Sequence, residues 1–205
     1  MAKAASRSTT GSSSSKSAPR RGSATAAARR RTGKARPNAI VLLKADHREV
    51  EQMFESFEKS RKDRKKNLAT RICNALRVHA QIEEEIFYPA FYDATREEDL
   101  HNEAIIEHDG VKKLIAEIES SGPGDKYFDA RVSVLSEMVK HHVKEEEQRD
   151  GIFSKARDSD MNLAGIGEQL ATRKAQLEAQ PDLLKTVKKL KDAGKGLVTR
   201  VLTEV

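Results

Sequence analysis

The chain has 205 residues, 37% hydrophobic, 34% charged and 4% aromatic, with a formal net charge of +6. That length suits one or two domains, and no run of about 18 apolar residues is present, which excludes a membrane-spanning helix. A single cysteine, Cys73, excludes an intramolecular disulfide and suits a reducing, cytoplasmic compartment. Charge is unevenly divided: residues 1–38 hold ten of the 38 Lys and Arg residues and no acid, leaving 28 basic against 32 acidic residues elsewhere. This segment contains no Leu, Ile, Val, Phe or Tyr. It cannot bury enough apolar surface to offset the entropy of ordering, and is expected to be a disordered basic Ser/Ala/Arg-rich arm. Two roles suit it: a solubilising tail, or non-specific, salt-sensitive contact with nucleic acid or another polyanion.

From Ala39 onward, apolar residues recur three and four apart, the helical spacing. The first predicted helix is Ile40–Ser60, on the stripe Ile40, Leu43, His47, Val50, Phe54 and Phe57. The second is Asn67–Phe91, on Ala69, Ile72, Leu76, His79, Glu83 and Ile86, with Pro89 expected to bend or fray its end. The third is Glu98–Ser120, on Ala104, His108, Val111, Ile115 and Ile118. The fourth is Tyr127–Phe153, on Phe128, Val132, Leu135, Val139, His142, Glu146 and Phe153. The separators are Arg61–Arg64, Tyr92–Thr95 and Ser121–Gly124. Four long helices with short connections predict an all-α fold, an up-down-up-down antiparallel four-helix bundle over residues 39–155. Residues 156–205 read as a helical extension, with a fifth helix over Leu163–Gln180 and a Lys-rich amphipathic stretch over Asp182–Glu204.

Each of the four helices places a histidine in its stripe where Leu or Val belongs, and His79 and His142 are each followed four residues later by a glutamate. Side chains at i and i+4 stack on one helix face. A buried carboxylate left unpaired is costly, so two glutamates beside four imidazoles make sense around a multivalent cation. Mixed carboxylate and imidazole donors suit iron, manganese or zinc, and two carboxylates suit a pair of ions. In antiparallel neighbours, residues at one height lie equally far from the connecting loop. The midpoint of His47 and His79 falls inside Arg61–Arg64, that of His79 and His108 inside Tyr92–Thr95, and that of His108 and His142 beside Gly124. The four rings are therefore expected to converge on one layer. His141 and Glu145 offer a competing pair, but the apolar arc of the fourth helix favours His142 and Glu146.

The segments Asp46-His47, His79-Ala80-Gln81-Ile82-Glu83-Glu84-Glu85, Glu107-His108-Asp109 and His142-Val143-Lys144-Glu145-Glu146-Glu147 resemble those of the hemerythrin-like HHE cation-binding domains. The resemblance covers Ile40 to Phe153 and implies a non-haem, carboxylate-bridged di-iron centre with oxygen, nitric oxide or iron-level chemistry. It implies the ligands His47, His79, Glu83, His108, His142 and Glu146, with the two glutamates as bridges. The pattern departs from oxygen-carrying hemerythrins: the positions four before and four after His108 are Ala104 and Lys112, and the fourth-helix acid sits four rather than five residues after its histidine. The functional expectation is a metal-binding protein that binds or senses oxygen, nitric oxide or iron, more a binder than an enzyme. The alternatives are a di-iron enzyme acting on peroxide or nitric oxide, and a DNA-binding protein acting through the basic arm. Glu84, Glu85, Glu145 and Glu147 read as a solvated acidic face, Glu51 and His141 as surface residues, His101 as too distant from His108 to share its metal, and Cys73 as core. Tyr88 reads as packing near the end of the bundle.

Overall fold

The computed structural model describes residues 38–179, all of whose regular structure is helical. The Lys-rich stretch and all of the basic arm except Asn38 lie outside the described residues. Asn38 is not part of an arm but the cap of the first helix: its side-chain oxygen accepts from the Ile40 and Val41 amides, satisfying donors that the first turn leaves open.

Helix α1 spans Ala39–Glu58 and α2 spans Lys62–Ile82, starting five residues earlier than the apolar pattern indicates. The polar first turn of α2 contributes nothing to a stripe, so periodicity could not detect it. The second predicted helix is not continuous. A π-helical turn, Glu83–Phe87, separates α2 from α3, Tyr88–Thr95. Pro89, in the first turn of α3, lacks an N–H and cannot fit a regular α-helical interior; the wider turn just before it absorbs the misfit, and the Tyr88 amide donates to the Glu83 carbonyl five residues back. Helix therefore runs through the expected Tyr92–Thr95 turn, and the chain reverses at Arg96, which adopts the left-handed region (φ 59°, ψ 23°). Helix α4 spans Glu98–Ser120, as the pattern predicts.

Helix α5 covers Phe128–Glu147 and stops short of the predicted Phe153, which lies instead in α6, Ile152–Asp158. The break depends on Gly151, where a Cβ would collide with the Glu145 carbonyl oxygen and lie 2.8 Å from that of Glu146. Helix α7 spans Leu163–Ala179.

The four long helices touch in a closed circuit, α1 to α2 to α4 to α5 and back to α1, while α7 lies on α1, α2 and the π turn. Two apolar clusters fill the interior. One gathers Leu43, Val78, Ile82, Ala104 and Ile152 with the aromatic rings of Phe87, Tyr88, Phe91 and Phe153. The other gathers Val50, Leu76, Val111 and Val139 with Phe54, Phe57 and Phe128. Along α1, α2 and α4, the stripe histidine falls where one cluster gives way to the other; on α5 the apolar residues all belong to the second cluster, and the first resumes at Ile152 and Phe153 of α6. The polar residues thus form a buried layer between two apolar halves. No helix among the described residues is long and apolar enough to cross a membrane.

Candidate metal centre

The structure brings together all six residues singled out in the sequence, and each is almost wholly buried. The histidines meet as two pairs: His47 Nε2 lies 3.1 Å from His79 Nε2, and His108 Nε2 lies 3.1 Å from His142 Nε2. Each glutamate joins the pairs. Glu83 Oε2 is 3.2 Å from His79 and 3.4 Å from His108, while Glu146 Oε2 is 3.3 Å from His47 and 3.6 Å from His142. His47, His79, Glu83 and Glu146 together could hold one cation, and Glu83, His108 and His142 offer a second convergent donor set.

The outward nitrogen of each ring faces another carboxylate. His47 Nδ1 is 2.8 Å from Glu147, His108 Nδ1 3.1 Å from Glu84, His142 Nδ1 2.7 Å from Glu107 and His79 Nδ1 3.6 Å from Asp46. Each of these acids is the immediate sequence neighbour of a candidate ligand on one helix segment but serves the histidine of the next. Asp46 of α1 faces α2, Glu84 of the π turn faces α4, Glu107 of α4 faces α5, and Glu147 of α5 closes the circuit on α1. Glu84 and Glu147 are therefore not a solvated face. Periodicity assigned them outward because it weighs only the helix they sit on; adjacency of an acid to a stripe donor was the available signal. Glu85 and Glu145 do lie further out, and Glu85 pairs with Arg173 at 2.6 Å.

A proton donated from Nδ1 to a carboxylate fixes the tautomer and leaves the Nε2 lone pair pointing inward. In the His108–His142 pair both Nδ1 atoms meet a carboxylate, and two such lone pairs facing at 3.1 Å repel unless a positive charge sits beside them. The inner acids have the same requirement: Glu83 Oε1 and Glu146 Oε2 are buried without a hydrogen-bond partner. The donor set fits a cation on these two counts.

The acid–base balance of the metal-free chain reflects the crowding. Burial, and then the neighbouring Glu146 charge, push the Glu83 carboxyl well above its usual range. Burial also acts upward on Glu146, but His142 and His47 outweigh it and hold that carboxyl at about 2. Burial lowers His108, and lowers His79 to about 4, so both favour the neutral, ligating form. For His47, Glu146 and Glu147 overcome burial and raise it.

One inner group was not assigned to the site by sequence. The fully buried Tyr88 hydroxyl donates to Glu146 Oε1 at 2.9 Å and lies 3.4 Å from both Glu83 Oε2 and His108 Nε2. Five residues after Glu83, it would point about 140° away on a regular α-helix; the π turn brings it round. Pro89 was the visible sign of that irregularity. The remaining polar residues stay outside. Glu51 pairs with Arg48 at the surface, exposed His141 touches Glu107, and His101 packs its ring against Tyr88 and Tyr92. Cys73 lies in the core, its thiol pushed up to about 12 by burial.

The fold is similar to the crystal structure of a hemerythrin HHE cation binding domain-containing protein from Mycobacterium kansasii, with a TM-score of 0.61 at 22% identity, covering 70% of this chain and 88% of that one. A protein named DNA nickase, from Nostoc sp. (strain PCC 7120), is 29% identical over 110 residues, 52% of this chain. The match spans only 30% of that relative's length. Residues 38–150 match the hemerythrin HHE cation binding domain, and with more than half of its length so matched, the chain belongs to that family.

Proposed function

We propose that the protein carries a carboxylate-bridged, non-haem di-iron centre, held by His47, His79, Glu83, His108, His142 and Glu146, and uses it to bind or sense oxygen, nitric oxide or iron. The observation that carries this reading is the bridging relation: the Oε2 of each glutamate lies beside one ring from each histidine pair. Four neutral nitrogen donors and two shared carboxylates match the balance of charge and softness that iron accepts. Three of the outer carboxylates hydrogen-bond the Nδ1 of His47, His108 and His142 and keep those Nε2 lone pairs aimed inward. We read the four long helices as an up-down-up-down antiparallel bundle that brings these donors to one depth. The single buried thiol suits a reducing cytoplasm.

Such a centre would supply open coordination positions for a small ligand. The surrounding residues limit what could reach them. A cavity of about 20 Å³ is lined by all four histidines and by Val50, Val111, Val139 and Val143. That space suits a water-sized or diatomic molecule rather than an organic substrate. Tyr88 supports the alternative reading, an enzyme acting on peroxide or nitric oxide, because its hydroxyl holds a proton among the inner donors. Burial and the Glu146 charge push that hydroxyl well above its usual range, so it acts as a hydrogen-bond donor.

Anaerobic loading with ferrous iron, followed by elemental analysis, is expected to give two ions per chain and a new absorption band on exposure to air. A chain that takes up no metal under these conditions would overturn the proposal. Turnover assays separate binder from enzyme, since a binder returns nitric oxide unchanged.

As a second activity we propose a nucleic-acid contact through residues 1–38, supported by their acid-free basic composition. Removing those residues should abolish DNA retention at low salt if the arm mediates it. Equal retention by the full and shortened chains would eliminate that role.

A further inference from the structure

The circuit of outer carboxylates has one long link. Three histidines meet their acceptors at 2.7–3.1 Å, but His79 Nδ1 stands 3.6 Å from Asp46 Oδ2. Both of these atoms are buried and neither has another hydrogen-bond partner. Each is oriented towards the other without a formed bond, so the position of the Asp46 carboxylate decides how firmly this ring is held.

That position is set from outside the family domain. Asp46 Oδ1 accepts from Lys174 Nζ at 2.6 Å, and Lys174 belongs to α7, beyond the matched residues 38–150. Two other acids of the circuit take their cations from within that span, Glu147 from Lys44 and Arg48 and Glu84 from Lys112, while Glu107 meets only His141 and His142. Lys174 is also unusual within its own helix. It stands four residues after Leu170 and three before Leu177, both fully buried, so it lies on the inward face of α7 where an apolar residue would be expected. The two leucines fix α7 in the apolar cluster that also holds Leu43 and Val78, and the lysine between them reaches Asp46.

We infer that Lys174 is a positioning residue for the metal centre: by holding Asp46 against His79, α7 sets how well that histidine serves as a ligand. The inference rests on the metal-binding reading above. A charge-assisted hydrogen bond of this length constrains the carboxylate more than a neutral one would. Without Lys174, Asp46 is a nearly buried carboxylate with no cation and turns away from the ring, leaving Nδ1 without an orienting partner. Loss of such outer partners typically weakens metal binding about 10–100-fold. Any event that shifts α7 would act on the centre by the same route.

The test is a cobalt(II) titration of the full chain, followed by visible absorption and chelator competition. Lys174→Met is expected to weaken cobalt binding about 10-fold or more and to change the ligand-field band. Lys174→Arg should restore affinity to within about two-fold, since it keeps the charge-assisted bond. Arg173→Met removes the neighbouring α7 contact with Glu85 and should leave affinity unchanged. Imidazole nitrogen NMR of the metal-free chain gives a second readout: Lys174→Met should disturb the tautomer of His79 and not those of His47, His108 or His142. Wild-type affinity together with an undisturbed His79 tautomer in Lys174→Met would overturn the inference while leaving the metal reading intact. Equal losses in Arg173→Met and Lys174→Met would overturn it too, because the effect would then belong to helix docking. Failure of the unaltered chain to bind any metal would overturn both.

Discussion

Glu147 and His47 lie 100 positions apart in the chain, yet the His47 Nδ1 proton is donated to Glu147 Oε1 at 2.8 Å. This contact closes the circuit in which each helix segment presents an acid to the histidine of the next. It makes the orientation of each candidate ligand a property of the assembled helices, because no single helix contains both a ligand and its support.

Glu83 is expected to trade stability for binding. Its carboxyl is fully buried, has an unpartnered oxygen and is forced towards its neutral form. A buried polar atom left unsatisfied costs about 1–3 kcal/mol, and an apolar side chain of similar size removes that cost. With chelator present, Glu83→Leu should therefore unfold at the same or higher urea concentration than the unaltered protein, and it should no longer take up iron. A variant that unfolds earlier in chelator yet still binds metal would contradict this assignment.

Tyr88→Phe should have the opposite effect on the metal-free protein. The substitution keeps the ring but removes the donor to Glu146 Oε1, leaving that buried oxygen unsatisfied at a cost of about 1–3 kcal/mol. Urea denaturation in chelator measures the loss. The same variant compared in peroxide or nitric oxide turnover shows whether the hydroxyl has a part in chemistry.

Glu84 should contribute to acid sensitivity. Burial acts to raise its carboxyl, but hydrogen bonds from His108 and Lys112 outweigh that and hold it at about 2, against an ordinary 4.5. A carboxyl lowered on folding adds stability that is complete above its unfolded value. That stability is lost as pH falls from about 4.5 to 2, and is on the order of 3 kcal/mol. Glu84→Gln should be less stable than the unaltered metal-free protein at neutral pH, and the gap should narrow across that window. A gap independent of pH would rule out this coupling.

Arg96→Gly should stabilise the fold. Arg96 sits in the left-handed region at the end of α3, a conformation that costs a side-chain-bearing residue roughly 1–2 kcal/mol and glycine much less. Its exposed contacts with Asp93 and the Tyr92 ring offset a fraction of that. The expected net gain is about 1 kcal/mol, read as a higher thermal midpoint.

The sequence by itself determined the all-helical class and the six inward donors, because a helix commits every third or fourth side chain to one face and an apolar stripe reveals which face that is. His47, His79, His108 and His142 were legible as interruptions of such stripes, and Glu83 and Glu146 as their i+4 companions. What it could not determine were features that depend on a neighbouring helix or a break in helical regularity. The supporting roles of Asp46, Glu84, Glu107 and Glu147 exist only where one helix meets the next. Tyr88 enters the site through a π turn that shifts its direction, and Lys174 reaches Asp46 from 128 positions away. Periodicity records burial along one helix; tertiary packing decides which buried groups meet, because contact between separate helices leaves no repeat in either of them.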